Sequence, residues 1–98
     1  MQINIYQKDI KLNERQKDYI QDKLLPLTRF TMLEDPSALA KVEVAYHDSK
    51  ISDQDIKISV NLIVPKHNLF AEVFAKTVEE GTDLIEEKLR NQLEKLKK

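Results

Sequence analysis

Thr77–Lys98 reads TVEEGTDLIEEKLRNQLEKLKK, and the rest of the chain has to be arranged to cover one side of it. Thr77 suits a helix N-cap, where a hydroxyl accepts from backbone N–H groups that have no partner one turn back. Glu80, three residues on, completes a capping box. Val78, Thr82, Ile85, Leu89, Leu93 and Leu96 recur every three or four residues and so share one face. Charge is polarised along the axis. Glu79, Glu80, Asp83, Glu86 and Glu87 fill the first half; Lys88, Arg90, Lys95, Lys97 and Lys98 dominate the second against Glu94 alone. Acids near the positive end of the helix dipole and bases near the negative end each stabilise by roughly 0.3–1 kcal/mol. That accounts for the pattern as a dipole-matched amphipathic helix. A second reading adds that the basic end meets an anionic partner.

Bulk composition narrows the classes. Ninety-eight residues make one domain with one modest core. Charged residues are 34% of the chain, yet the net charge is −1. Any attraction to nucleic acid must therefore come from a local patch rather than a global field. Without cysteine there is no disulfide framework or thiol chemistry. The N-terminus enters a strand pattern with no basic region and apolar run ahead of it, so no signal peptide is expected. No apolar stretch approaches the ~20 residues of a membrane span. These readings permit a cytosolic home, and a cytoplasmic location is the expectation.

Upstream, the pattern switches between periods of two and 3.6. Gln2–Tyr6 alternates, with Ile3 and Ile5 on one face. Asn13 reads as an N-cap with Gln16 as its capping-box partner. A helix follows to about Phe30, with Ile20, Leu24 and Leu27 as the buried stripe and Tyr19 and Phe30 on a flank. Pro26 breaks this helix, because proline lacks the N–H and clashes with the carbonyl four residues back. Either a kink near Asp22 or an early end with a separate last turn follows. Glu34-Asp35-Pro36-Ser37 marks a turn in a loop spanning 31–40. Lys41–His47 alternates, with Val42, Val44 and Tyr46 inward and Lys41, Glu43 and Ala45 outward. A polar loop over 48–54 leads to Asp55–Val64, where Ile56, Ile58, Val60 and Leu62 share the inward face. Pro65–Asn68 reads as a four-residue hairpin connection. In the last strand, Leu69–Lys76, the residues Leu69, Ala71, Val73 and Ala75 oppose Phe70, Glu72, Phe74 and Lys76.

The order is βαβββα. A strand–helix–strand crossover makes the first two strands parallel, and two hairpins then alternate the direction. The expected fold is α+β: a four-stranded mixed sheet with two parallel helices on one face, like a double-stranded-RNA-binding domain. Both helices end at the same edge. This brings Lys23 and Arg29 toward Lys88, Arg90, Lys95, Lys97 and Lys98. At ~100° per residue, Lys88, Lys95 and Lys98 lie on one flank of the apolar stripe, and Arg90 and Lys97 lie on the other.

The opening MQINIYQKDIKLNERQKDYIQDKL, the segment KVEVAYHD, the strand LFAEV and above all KTVEEGTDLIEEKLRNQLEKLKK resemble the ribosome hibernation-promoting factor / protein Y family. KLRNQLEKL is similar to that family's KLERQLNKL-type helix end. The resemblance spans nearly the whole chain and implies the same βαβββα fold. It further implies rRNA binding on the small ribosomal subunit, in the channel of mRNA and tRNAs, through basic residues of the two helices. Translation would be blocked and idle ribosomes preserved, as in stress or stationary phase. The family's basic positions fall here on Lys23, Arg29, Lys88 and Lys95. One falls on Pro26, the central arginine falls on Asn91 with Arg90 beside it, and an early tyrosine falls on Glu79. EEGTDL stands where many members have a Met-Tyr-Ala-Ala-Ile-Asp run. The site expected to bind rRNA is thus Lys23, Arg29, Lys88, Arg90, Lys95, Lys97 and Lys98. Long members carry a further C-terminal domain for dimerisation, so a monomer off the ribosome is expected here. A generic protein-interaction domain on the same scaffold is the rival reading.

Other constellations point to no chemistry. His47 and His67 lie in different connections with no third ligand at metal spacing. Asp48, Asp53 and Asp55 lack calcium-loop spacing. Lys66 and His67 fit an exposed turn better than a phosphate site. One glycine, Gly81, allows no phosphate loop; inside a helix it costs ~1 kcal/mol against alanine and leaves room for close approach to the sheet. No nucleophile–base pair suggests an enzyme, and no metal, cofactor or small-molecule substrate is expected. Phe70 and Phe74 should point to the uncovered face. There they either pack on Ile63 and the stems of Lys57 and Lys76 or contact another protein or a second copy.

Overall fold

A computed structural model describes residues 1–29, 37–46, 56–65 and 67–96. Readings that involve Phe30, the turn residues 34–36, His47, the loop 48–55, Lys66, Lys97 and Lys98 lie outside these residues. The elements are β1 (Gln2–Lys8), α1 (Glu14–Leu24), a 3₁₀ turn (Leu25–Arg29), β2 (Leu39–Tyr46), β3 (Ile56–Val64), β4 (His67–Ala75) and α2 (Val78–Leu96). The sheet order is β1-β2-β3-β4, with β1 parallel to β2 and both later pairs antiparallel. The fold is therefore the expected α+β arrangement of two helices on a four-stranded mixed sheet.

Local chemistry explains the helix boundaries. The Asn13 side chain accepts from the Gln16 N–H at 2.8 Å, and the Asn13 N–H donates to Gln16 Oε1 at 3.0 Å. This is the full capping box. Just before it, Asp9 sits at φ 58°, in the left-handed region that aspartate tolerates better than most side chains. At the other end the Leu25 N–H still donates to Gln21 O. Pro26 has no N–H to offer Asp22, so α1 ends at Leu24 and the chain tightens into the 3₁₀ turn. Of the two outcomes open to Pro26, the early end with a separate last turn is the one adopted. Leu27 remains buried in that turn, and Thr28 Oγ1 donates to the Leu25 carbonyl at 2.9 Å.

Several boundaries differ from the sequence pattern. β1 runs to Lys8 rather than ending at Tyr6, because Gln7 and Lys8 still pair with Val44 and Ala45 of β2. β2 begins at Leu39 rather than Lys41, because Leu39 and Ala40 pair with Gln2 and Ile3 of β1, a long-range contact with no local signal. The β3–β4 connection is two residues, not four: the ladder continues to Val64–His67, since pairing uses backbone groups and accepts polar His67 and Asn68. Tyr46 keeps its expected inward face, opposite Ile56, yet is 61% exposed, while Ala45 keeps its outward face, between Lys8 and Lys57, yet is buried. Tyr46 occupies the last rung of β2, and strict alternation carries no information about where burial stops.

The core lies between sheet and helices. Val42, Val44, Ile58, Val60 and Leu62 face Ile20, Leu24, Ile85, Leu89 and Leu93, all at most 1% exposed. Gly81 lies tight against the sheet. A Cβ there would sit 2.7 Å from Ile58 Cδ1 and 3.4 Å from Ala75 Cβ. The glycine's cost to the helix is thus offset by letting α2 lie directly on β3 and β4.

Candidate nucleic-acid interface

The site is built on α2. Thr77 Oγ1 accepts from the Glu80 N–H at 3.1 Å, which sets the helix start. The buried stripe Val78, Thr82, Ile85, Leu89 and Leu93 fixes its rotation. Each flank is then committed to a different neighbour.

One flank faces α1. Asp83 Oδ1 accepts from the Tyr19 hydroxyl at 2.7 Å and lies 3.6 Å from Lys23 Nζ. The hydrogen bond and the Asp83 charge both disfavour a phenolate, so the pKa of Tyr19 is raised above its ordinary value of 10.0. Arg90, seven residues beyond Asp83, returns to within ~20° of the same flank. It lies 3.6 Å from Glu86, in the orientation favoured for an i,i+4 pair. Lys23 and Arg90 therefore each stand beside a carboxylate. Both pairs are partly exposed, and such pairs contribute about 0–1 kcal/mol.

The other flank overhangs the edge strand β4. Lys88 Nζ donates to the Glu72 carbonyl at 3.1 Å, and Gln92 Nε2 donates to the Phe70 carbonyl at 3.0 Å. These carbonyls point away from β3 and would otherwise be open to a passing strand, so α2 seals this edge of the sheet. Lys95, two turns past Lys88 and about 10.5 Å along the axis, is exposed and carries no ion pair among the described residues. Arg29 is exposed at the end of the 3₁₀ turn.

The expected residues among those described are thus divided rather than gathered. Lys88 and Lys95 share the outer flank. Lys23 and Arg90 sit on the α1 side, a helix width of ~10–12 Å away. Lys23 is tied back to Asp83, about 18 Å along the axis from Lys95. Sequence reasoning missed Tyr19, Asp83 and Gln92. The seven-residue spacing of Asp83 and Arg90 was visible, but nothing in it says which neighbour that flank meets. No three His, Cys, Asp or Glu among the described residues are placed to hold a metal ion.

Two parallel helices on one face of a mixed sheet, with cations on an exposed helix flank, define a small α+β domain of the double-stranded-RNA-binding type of architecture. Within that class, the chain belongs to the Sigma 54 modulation protein / S30EA ribosomal protein family, whose model matches residues 3–98. Its structure is similar to a ribosomal subunit interface protein from Coxiella burnetii, with a TM-score of 0.78 and 18% identity over 99% of this chain and 98% of that one. It is also similar to the protein Y N-terminal domain from Thermus thermophilus, with a TM-score of 0.75 and 18% identity over 97% and 94%. At that identity the likeness establishes the shared fold. No curated protein matches the sequence.

Proposed function

We propose that this protein binds rRNA of the small ribosomal subunit in the mRNA/tRNA channel, blocks translation and so preserves idle ribosomes in the cytoplasm. Family membership across residues 3–98 is the observation that carries the reading. Lys88 and Lys95 supply the chemistry on the outer flank, with Lys23, Arg29, Arg90, Lys97 and Lys98 as further cations. It acts as a monomer off the ribosome, without a cofactor, small-molecule substrate or catalytic step. Affinity of this kind comes from counterion release at each phosphate contact, so it falls steeply with salt.

The test is co-sedimentation with small ribosomal subunits at two salt concentrations. Lys88→Glu with Lys95→Glu should abolish binding at moderate salt while the domain stays folded. Removing one phosphate contact, as in Lys95→Ala, should lower the salt slope by about one. Lys23→Ala should weaken binding less, because Asp83 already neutralises that charge. Binding that survives the double reversal places the site elsewhere. The carboxylates beside Lys23 and Arg90 favour a second reading, a protein-interaction domain on the same scaffold; it requires ribosome binding that is absent or insensitive to salt.

A further inference from the structure

The face of the sheet opposite the helices is neither apolar nor bland. Its rungs follow from the strand register. Asn4, Lys41, Asn61 and Phe70 form one rung, Tyr6, Glu43, Ser59 and Glu72 the next, and Lys8, Ala45, Lys57 and Phe74 a third. Tyr6 and Phe70 are 51% and 56% exposed, whereas Phe74 is half-buried opposite Lys57. Between Tyr6 and Phe70 lies a depression of about 300 Å³ lined by Tyr6, Lys41, Glu43, Ser59, Asn61 and Phe70. It has an aromatic ring on either side and an ammonium, a carboxylate, a hydroxyl and a carboxamide between them.

We propose that this depression binds an unpaired nucleotide of single-stranded RNA whose base carries an exocyclic amine. This goes beyond the helix-flank reading and uses the opposite side of the domain. The polar floor decides the class of occupant. An apolar protein surface, or an apolar patch of a second copy, would bury four polar side chains without partners, which is costly for each. A base offers a π-face to Tyr6 or Phe70 and an edge of donors and acceptors to the floor, as in recognition of splayed-out bases. Charge is arranged to match. Lys41 lies one rung to one side of Glu43 and Lys57 one rung to the other, each ~6.6–6.8 Å away along the strands, where the sugar–phosphate backbone would pass. Lys8 stands on the same rung as Lys57. Glu43 would repel a phosphate but accepts from an N–H. Adenine, cytosine and guanine present an amine to it, and the Asn61 amide can donate and accept beside it. Uracil flanks its single ring N–H with two carbonyl oxygens that oppose the carboxylate.

Fluorescence anisotropy of a labelled single-stranded oligoadenylate, titrated with the purified protein without ribosomes, tests the site. Tyr6→Ala and Phe70→Ala should each weaken binding roughly 5- to 150-fold, the effect of losing one stacking ring. Tyr6→Phe and Phe70→Tyr keep the rings and should retain binding, which separates stacking from misfolding. Oligouridylate should bind more weakly than oligoadenylate, and Glu43→Gln should narrow that gap. Lys95→Glu, on the far side, should leave oligoadenylate binding within about threefold while impairing ribosome co-sedimentation, so the two readings fail separately. Three results overturn the proposal: no oligoadenylate binding; binding that survives both alanine variants or is lost with Lys95→Glu; or self-association in sedimentation that Phe70→Ala abolishes.

Discussion

The two helices lie side by side on the same sheet but are held by different means. α1 has 11 residues, of which only Ile20 and Leu24 are buried. Its position is defined at its ends, by the Asn13 capping box and by Pro26. α2 has 19 residues and buries six along its length, including Gly81 and Thr82. A helix as short as α1 is marginal alone, so its caps and the 3₁₀ turn that buries Leu27 matter more. α2 is held by a face, which leaves its flanks available: one to clasp α1 through Asp83, the other to seal β4 and present Lys95. The electrostatic contrast follows from the packing contrast. A cation on the shorter helix is drawn to its neighbour's acid, whereas α2 carries Lys95 two turns beyond its last hydrogen-bonded lysine.

The largest effect should come from breaking the face of α2. Leu89→Ala empties a site 1% exposed and should cost about 2–5 kcal/mol in denaturant unfolding. A loss below 1 kcal/mol would show that α2 is not anchored by this stripe. Next is Gly81. Gly81→Val should destabilise by about 1–3 kcal/mol through overpacking against Ile58 and Ala75. Gly81→Ala should stay within about 1 kcal/mol of the parent, since the gain in helix propensity offsets a contact that the end of the Ile58 side chain can relieve. Equal stability of the two variants would mean the helix does not press on the sheet at that point.

A smaller effect should follow from the end of α1. Asn13→Ala should cost about 1 kcal/mol, and amide exchange should rise in α1 before α2. If both helices lose protection equally, α1 is not held by its cap. The smallest effect lies at the clasp. Tyr19 favours its protonated form in the folded state, so its contribution is present below its ordinary value of 10.0 and is lost as pH rises through the higher folded value. Asp83→Asn should lower the pH at which Tyr19 ionises, followed by ultraviolet titration against Tyr19→Phe. It should change stability at neutral pH by no more than about 1 kcal/mol. No change in the titration would remove Asp83 as the link between the helices.

Much of the fold is legible in the sequence, because the signals are local. Alternation at Ile56, Ile58, Val60 and Leu62, the 3–4 spacing through Ile85, Leu89 and Leu93, and the caps at Asn13 and Thr77 each depend on neighbours a few residues apart. Together with the two hairpins they specify the βαβββα order and which strand faces are covered. Pro26 announced a break, since a missing N–H is a property of the residue itself. The outward placement of Phe70 followed from alternation together with Ala71 and Ala75 on the opposite face, whose small side chains leave room for a helix.

What the chain could not announce depends on groups distant in sequence. The start of β2 at Leu39 rests on backbone pairing with Gln2 and Ile3. The grouping of cations rests on what each flank of α2 touches. Lys88 and Lys95 share a flank by helical geometry, but only packing makes that flank the one above β4, where Lys88 meets the Glu72 carbonyl. Lys23 looked like a member of the same basic edge until α1 set Tyr19 and Lys23 against Asp83, 60 residues and more away in sequence. Helical periodicity determines which side chains point together. Tertiary packing alone determines what they point at, because Coulomb and hydrogen-bond energies depend on distance through space and not along the chain.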